Sequence, residues 1–201
     1  MEDPRKAIEA VWRIESARLI GGLARLVRDL GWAEELAQDA LLVALERWPA
    51  SGIPENPGAW LMATAKNRAL DELRHRQLVA RKHAELGAEP AETPDLEGPL
   101  DDEIGDEVLR LVLVACHPVL STEARVALTL RLTAGLSTNE VAGAFLVPEP
   151  TMAQRIVRAK RTLSEAKVPF EVPRPAGLGE RLASVLEVVY LVFNEGYAAT
   201  S

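Results

Sequence analysis

The chain has 201 residues, 48% of them apolar, with 30 acids against 23 lysines and arginines and a single cysteine. That is ample for one or two cored domains, and a lone cysteine excludes an internal disulfide and any cysteine-rich zinc site. Aromatics are sparse at 4% while Ala, Leu, Val, Glu and Arg dominate, which favours helices over sheets. The N-terminus, MEDPRKAIEA, has no apolar signal core, and no stretch approaches the ~20 uninterrupted apolar residues of a membrane span. The expected location is therefore the cytoplasm.

In chain order, residues 5 to 30 carry a helical apolar pattern (Ile8, Val11, Trp12, Leu19, Ile20, Leu23, Leu26, Val27, Leu30), with Gly21–Gly22 as a weak point and Gly31 as its close. A second helix is expected from Ala33 to Trp48, with Leu36, Ala40, Leu41, Ala44, Leu45 and Trp48 facing inward. Its opening acids, Glu34, Glu35 and Asp39 with Gln38, suit the helix dipole or could form a contact surface, the dipole being the safer reading. Residues 49 to 58 (PASGIPENPG) read as a constrained loop. A third helix follows from Ala59 to His83, apolar through Trp60, Leu61, Ala65, Leu70 and Leu73 and basic on its other side. Such a helix suits single-stranded nucleic acid, or merely places cations at a helix C-terminus.

Residues 84 to 102 have three prolines, two glycines and no apolar periodicity, the pattern of a linker. A helix from Glu103 to Cys116 and another from Ser121 to Thr133 lead to Leu136–Leu163. Ser137 and Glu140 have capping-box spacing. Val147 and Pro148 break that helix, and Pro150 suits the first turn of the next. There Met152, Ile156, Ala159 and Leu163 form an apolar stripe. The opposite face presents Gln154, Arg158 and Arg161, flanked by Thr151, Arg155 and Lys160. An apolar back, a polar front and a short connection are what a helix-turn-helix needs. Two amphipathic helices with a solvated cationic face would show the same pattern, so both readings stay open here. Residues 168 to 179 read as a Pro-rich connector, and Glu180–Ser201 as an apolar helix stopped at Asn194-Glu195-Gly196-Tyr197. That helix has nothing to pack on unless it docks on the preceding helices or begins a further domain.

The net charge of −7 argues against nucleic acid, but its distribution argues for it. Leu61–His83 holds six cations against two acids, and Glu149–Lys167 five against two. Between them, Ala84–Glu107 holds ten acids and no Lys or Arg. Local patches rather than the total attract phosphate.

No catalytic constellation emerges. His75, His83 and His117 lack metal-ligand spacing, no phosphate-binding glycine loop is present, and Asp101-Asp102-Glu103 lacks the spacing of a calcium loop. Cys116, in an apolar run, reads as a small buried hydrophobe. No metal, no cofactor and no enzymatic activity are expected.

Three segments, in this order, resemble a bacterial sigma factor of the extracytoplasmic-function type over residues 5 to 167. AEELAQDALLVALERW is similar to the helix that grips the clamp coiled coil of RNA polymerase. AWLMATAKNRALDELRHR is similar to the helix that recognises and melts the minus-ten element, and LSTNEVAGAFLVPEPTMAQRIVRAKRTL to the helix-turn-helix that reads the minus-thirty-five element. ACHPVLS, VPEPTMAQRIVRAKR and YLVFNEGYAA resemble the subgroup with a C-terminal helical extension, of which only the first helix would be present, as in a truncated chain.

The resemblance implies an all-α fold: a region 2-like domain at 1–83, an acidic linker at 84–102, a region 4-like helix-turn-helix domain at 103–167, and the start of an extension at 168–201. It implies polymerase contacts at Glu35, Gln38, Asp39 and Leu42, and minus-ten contacts at Lys66, Asn67, Asp71, Arg74 and Arg76. The loop Ser51–Asn56 would hold a flipped-out base. Minus-thirty-five contacts would come from Thr151, Gln154, Arg155, Arg158 and Arg161, Arg suiting guanine edges or phosphates and Gln suiting adenine. Implied partners are the polymerase core (clamp coiled coil and flap), promoter DNA, and an anti-sigma factor or the chain's own extension, with no membrane. The acidic linker could mimic nucleic acid inside polymerase, mask the basic helices, or act as a spacer. The alternative is a stand-alone helix-turn-helix regulator of duplex DNA. Leu146 stands where such turns often carry Gly. A left-handed backbone is costly for Leu, so a slightly different turn is expected.

Overall fold

A computed structural model describes residues 4–84, 104–173 and 175–198, all in helices and their connections. The expected linker, including Asp101-Asp102-Glu103, lies almost wholly outside the described residues. The elements are α1 (Pro4–Val27), α2 (Leu30–Ser51), α3 (Pro57–Ala84), α4 (Ile104–Ala115), α5 (Thr122–Leu132), α6 (Thr138–Ala144), α7 (Glu149–Glu165) and α8 (Pro175–Ala198). Among the described residues there is no strand, no group of side chains that could hold a metal ion, and no helix long and apolar enough to cross a membrane.

Local chemistry sets the breaks. Arg28 takes a left-handed backbone (φ 54°), its N–H donating to the Ala24 carbonyl, and ends α1. Asp29 then caps α2, its carboxylate accepting from the Trp32 N–H at 2.8 Å. The break therefore precedes Gly31, which lies inside α2 rather than closing α1. Residues Pro49–Ser51 remain helical, so the loop is only Gly52–Asn56. Gly52 (φ 83°) terminates α2, and Asn56 Oδ1 accepts from the Ala59 N–H at 3.0 Å to start α3.

Packing follows from a stripe of small residues. Ala33, Ala37, Ala40 and Ala44, all fully buried, let α2 lie close to its neighbours, while Trp48 closes the far end edge-on to Trp60 at 5.2 Å. The core does not stop at the linker. Leu23, Leu36 and Leu61 from the first three helices belong to the same cluster as Leu111, Leu128, Met152 and Ile156 from the later ones. The chief crossing is α1 against α4. There Gly21–Gly22 is not a weak point in α1 but a close approach, because a Cβ on Gly21 would stand 2.6 Å from the Glu107 carbonyl oxygen. One ion pair pins the same crossing, Arg25 to Glu107 at 2.9 Å, and Arg110 reaches the same carboxylate from its own helix at 3.0 Å.

The last helix starts five residues before the expected Glu180 and runs through Asn194 and Gly196. It docks on α4 and α5: Val188 is fully buried against Cys116 and Val126, Arg181 donates to the Leu113 carbonyl at 2.9 Å, and Arg125 pairs with Glu187 at 3.0 Å. Its other side leaves Leu186, Val189, Tyr190 and Phe193 exposed. Cys116 is buried as expected, with its thiol pKa pushed up by burial. His117 is held neutral, its pKa lowered to about 4 by burial and then by Arg181.

The two glycines of α1 make the α1–α4 crossing testable. Gly21→Ala should destabilise the fold by about 1–3 kcal/mol, because backbone cannot yield as a side chain can. Gly22→Ala meets only the flexible end of Met62 and should be near neutral. Urea midpoints at unchanged m-value measure both.

Candidate nucleic-acid interface

The α6–turn–α7 unit is built by its local sequence. The Ser137 N–H donates to Glu140 Oε2 at 2.7 Å and the Glu140 N–H donates back to Ser137 Oγ at 3.2 Å, closing the capping box. The Ser137 N–H, and after it the Ser137 hydroxyl donating to Oε2 at 2.7 Å, hold the Glu140 carboxyl below its ordinary pKa. At the far end the Leu146 N–H donates to the Gly143 carbonyl and the Val147 N–H to the Ala142 carbonyl, the paired bonds of a Schellman turn. This turn requires the left-handed conformation, and Leu146 adopts it (φ 51°) while 94% exposed. The expectation of a different turn is thus corrected: the ordinary turn forms without its glycine, and the apolar side chain projects into solvent. Pro150 lies in the first turn of α7.

The apolar stripe of α7 is as expected, with Met152, Ile156, Ala159 and Leu163 all buried. Thr151, Gln154, Arg158 and Arg161 are exposed on the other side, and Arg155 is half-buried. Their charges are not equally available. Arg155 pairs with Glu123 on α5 at 3.2 Å, and Arg161 with Glu165 at 2.7 Å, which raises the Arg161 pKa. Arg158 forms no ion pair with a described residue.

Lys160 leaves the basic face altogether. Its Nζ donates to Glu34 Oε2 at 2.7 Å, while Arg131 on α5 reaches Glu34 Oε1 at 2.9 Å. Gln38 donates to the same Oε1 at 3.2 Å. The Glu34 side chain is 7% exposed, so this carboxylate is a buried counter-ion rather than a dipole partner or a surface acid. Ser164 Oγ adds a 3.1 Å bond to Asp29, next to the start of α2. Removing one partner of such a buried cluster costs on the order of 3–5 kcal/mol, because it strands the remaining charge. The α2 acids gave no sign of this role, since the partners lie about a hundred positions away.

On α2, Glu35 and Leu42 are exposed, Asp39 is half-buried and pairs with Arg68 of α3 at 3.0 Å, and Gln38 is shared with Glu34. On α3, spacings of four and three put Asn67, Asp71 and Arg74 on one exposed face, with Asp71 and Arg74 paired at 3.4 Å. Lys66 is half-buried beside them, and the side chain of Arg76 lies outside the described residues. The loop is not gathered to this face. Asn56 caps α3 some eleven residues, or about 16 Å, before Asn67. Ser51 donates back to the Arg47 carbonyl at 3.0 Å. What the fold assembles is a polar α3 face, an exposed α2 edge and a polar α7 face, all arranged about α2.

Comparison with known proteins gives consistent matches. The family model Sigma-70 region 2 matches residues 13–79, and Sigma-70, region 4 matches residues 110–163. An uncharacterized protein of Rhizobium meliloti is 41% identical over 189 residues, 90% of this chain, which spans only 43% of that protein's length. The ECF RNA polymerase sigma factor SigK of Mycobacterium ulcerans is 30% identical over 151 residues, 73% of this chain and 78% of SigK. The solved structure of the sigma factor RpoE in complex with the anti-sigma factor NepR from Bartonella quintana aligns over 81% of this chain and 98% of that one, at 25% identity and a TM-score of 0.36.

The strained turn offers a direct check. Leu146→Gly relieves a left-handed cost of about 1–2 kcal/mol but loosens the unfolded chain, so it should be neutral to stabilising by up to about 1 kcal/mol. Leu146→Val should destabilise, since a β-branched residue fits that backbone worse. Thermal melts of both variants decide it.

Proposed function

Since the chain belongs to the extracytoplasmic-function family of RNA polymerase sigma factors, we propose that its two halves read two promoter elements on behalf of the polymerase core. The family is one of promoter-recognising transcription initiation factors, and its members work without catalysing a reaction. The observation that carries the reading is the pairing of matched regions with matched surfaces. Residues 13–79 contain the polar α3 face, and residues 110–163 contain the exposed α7 face of a helix-turn-helix.

In the α7 half, the N-terminal part of the helix enters the major groove of the minus-thirty-five element. Thr151 and Gln154 are the base-directed side chains, because they are exposed and neutral. Arg158, exposed and in no ion pair with a described residue, binds phosphate. Arg155 and Arg161 contribute less than their charge suggests, because each must first leave Glu123 or Glu165. In the α3 half, Asn67, Asp71 and Arg74 face the minus-ten strand, with Lys66 and Arg76 adding charge. The loop from Ser51 to Asn56, although about 16 Å along α3 from Asn67, is the segment that would hold an extruded base. Glu35, Asp39 and Leu42 form the edge offered to the polymerase clamp, with Gln38 at its border. The region 4 half would meet the polymerase flap. The exposed apolar side of α8 suits a helical continuation of the chain, an arrangement supported by the greater length of the Rhizobium meliloti relative. An anti-sigma factor is the competing occupant. A stand-alone duplex-binding regulator would leave residues 13–79 without a role.

Pull-down with core polymerase followed by transcription from a cognate promoter tests the assignment. Failure of both would remove it. For α7, Arg158→Ala should weaken duplex binding and reduce the slope of log K against log salt by roughly one, as for one lost phosphate contact. Glu165→Gln, which frees Arg161, should do the opposite. Unchanged slopes in both would place the DNA elsewhere.

A further inference from the structure

Beside the ends of α1 and α7 and the start of α4, the chain leaves an open cleft of about 810 Å³, bordered by Arg25, Arg28, Arg110, Lys167 and Phe170. Small-ligand sites span roughly 300–1,000 Å³. None of the residues assigned above to DNA or polymerase borders it.

Its four cations are placed by two different devices. Arg25 of α1 and Arg110 of α4 both reach Glu107 Oε1, at 2.9 and 3.0 Å. That buried carboxylate sets two guanidiniums side by side, with 26% and 15% of their side chains still exposed. Arg28 and Lys167 instead take the left-handed positions that end α1 and α7, at φ 54° and 49°, and both are exposed. At Lys167 the turn is closed by two bonds, its own N–H donating to the Ser164 carbonyl and the Val168 N–H to the Leu163 carbonyl. Glycine usually fills such positions. Among the described residues three non-glycines have positive φ, and two of the three border this one cleft. A cation at a helix C-terminus answers the dipole, which accounts for Arg28 and Lys167 taken singly. It does not account for their convergence with Arg25 and Arg110 on one concavity.

The acids at the cleft do not cancel these charges. Asp29 already accepts from the Trp32 N–H at 2.8 Å and from Ser164 Oγ at 3.1 Å, and Glu171 is exposed. Phe170 is half-buried and packs against the apolar core, which fixes its ring at the cleft. Guanidiniums bind phosphate oxygens in pairs, an ammonium binds them as a point charge, and a fixed aromatic ring stacks a base. We propose that this cleft binds a nucleoside diphosphate or a close relative, its phosphates among Arg28, Lys167 and Arg110 and its base against Phe170. The site would exist whether or not α7 reads a promoter.

The test uses the full 201-residue chain, with ADP, GDP, inorganic pyrophosphate and adenosine as probes. Titration calorimetry reads the affinity, and the thermal midpoint should rise with any ligand of the folded state. ADP or GDP should bind saturably at one site, pyrophosphate about tenfold more weakly for want of stacking, and adenosine not measurably. Arg28→Gln and Lys167→Gln should each weaken the nucleotide about tenfold, as for one charge-assisted bond, with helical content and the ligand-free midpoint retained. Phe170→Leu, which keeps the apolar packing, should bring the nucleotide down to the affinity of pyrophosphate and leave pyrophosphate unchanged. Arg158→Gln, on α7 but outside the cleft, should change none of these values. Absence of saturable binding at millimolar nucleotide, or an equal loss in Arg158→Gln, would overturn the site. So would displacement of bound nucleotide by a minus-thirty-five duplex, which would make the cleft part of the DNA surface.

Discussion

A carboxylate taken out of water must find positive charge, and where it finds it fixes how the helices around it lie. Glu34 is buried on α2 and, besides Gln38 of its own helix, is held by cations of α5 and α7. Glu107, on α4, is paired across the opposite junction with Arg25 of α1 as well as with Arg110 of its own helix, both at Oε1. Each half of the chain thus lends one acid to a cation of the other. The apolar cluster that runs from Leu23 to Ile156 supplies most of the attraction, being proportional to buried area and indifferent to register. The two ionic sites choose the register, because an ion displaced by one turn would be stranded. Gly21 allows the first junction its close approach, and the alanine stripe of α2 allows the second.

This economy of charge changes the electrostatics of the exposed α7 face. Five cations on Glu149–Lys167 suggest a strongly positive helix. In the folded chain one of them, Lys160, is interior, and two more, Arg155 and Arg161, are held by acids. What remains facing solvent is modest, which accords with the overall charge of −7. Attraction to phosphate then depends on Arg158 and Lys167, both exposed, and on whatever the paired arginines gain by exchanging a carboxylate for a phosphate.

What the sequence made legible was whatever is local. The Ser137–Glu140 box and the buried stripe Met152–Ile156–Ala159–Leu163 lie within a few turns of themselves, and the structure has both. Boundaries were harder, because tertiary packing overrode the breakers. Pro49 sits inside α2 and Gly196 inside α8, and Gly21–Gly22 leaves α1 unbroken because α4 needs the space. Leu146 defeated propensity in a different way. The carbonyls at the end of α6 needed partners, and that need outweighed a steric cost of about 1–2 kcal/mol. The role of Glu34 was not legible at all. In sequence it is one acid in a row of acids, and only the fold brings Arg131 and Lys160 to it. The exposed site residues could be named from family resemblance, but which of their charges are already spent could not.

Helix α7 is therefore held by two attachments of different character. Its apolar back, Met152, Ile156 and Leu163, is buried, with α5 and α6 as its chief neighbours. Lys160 binds it to the other half through a charge that water can replace.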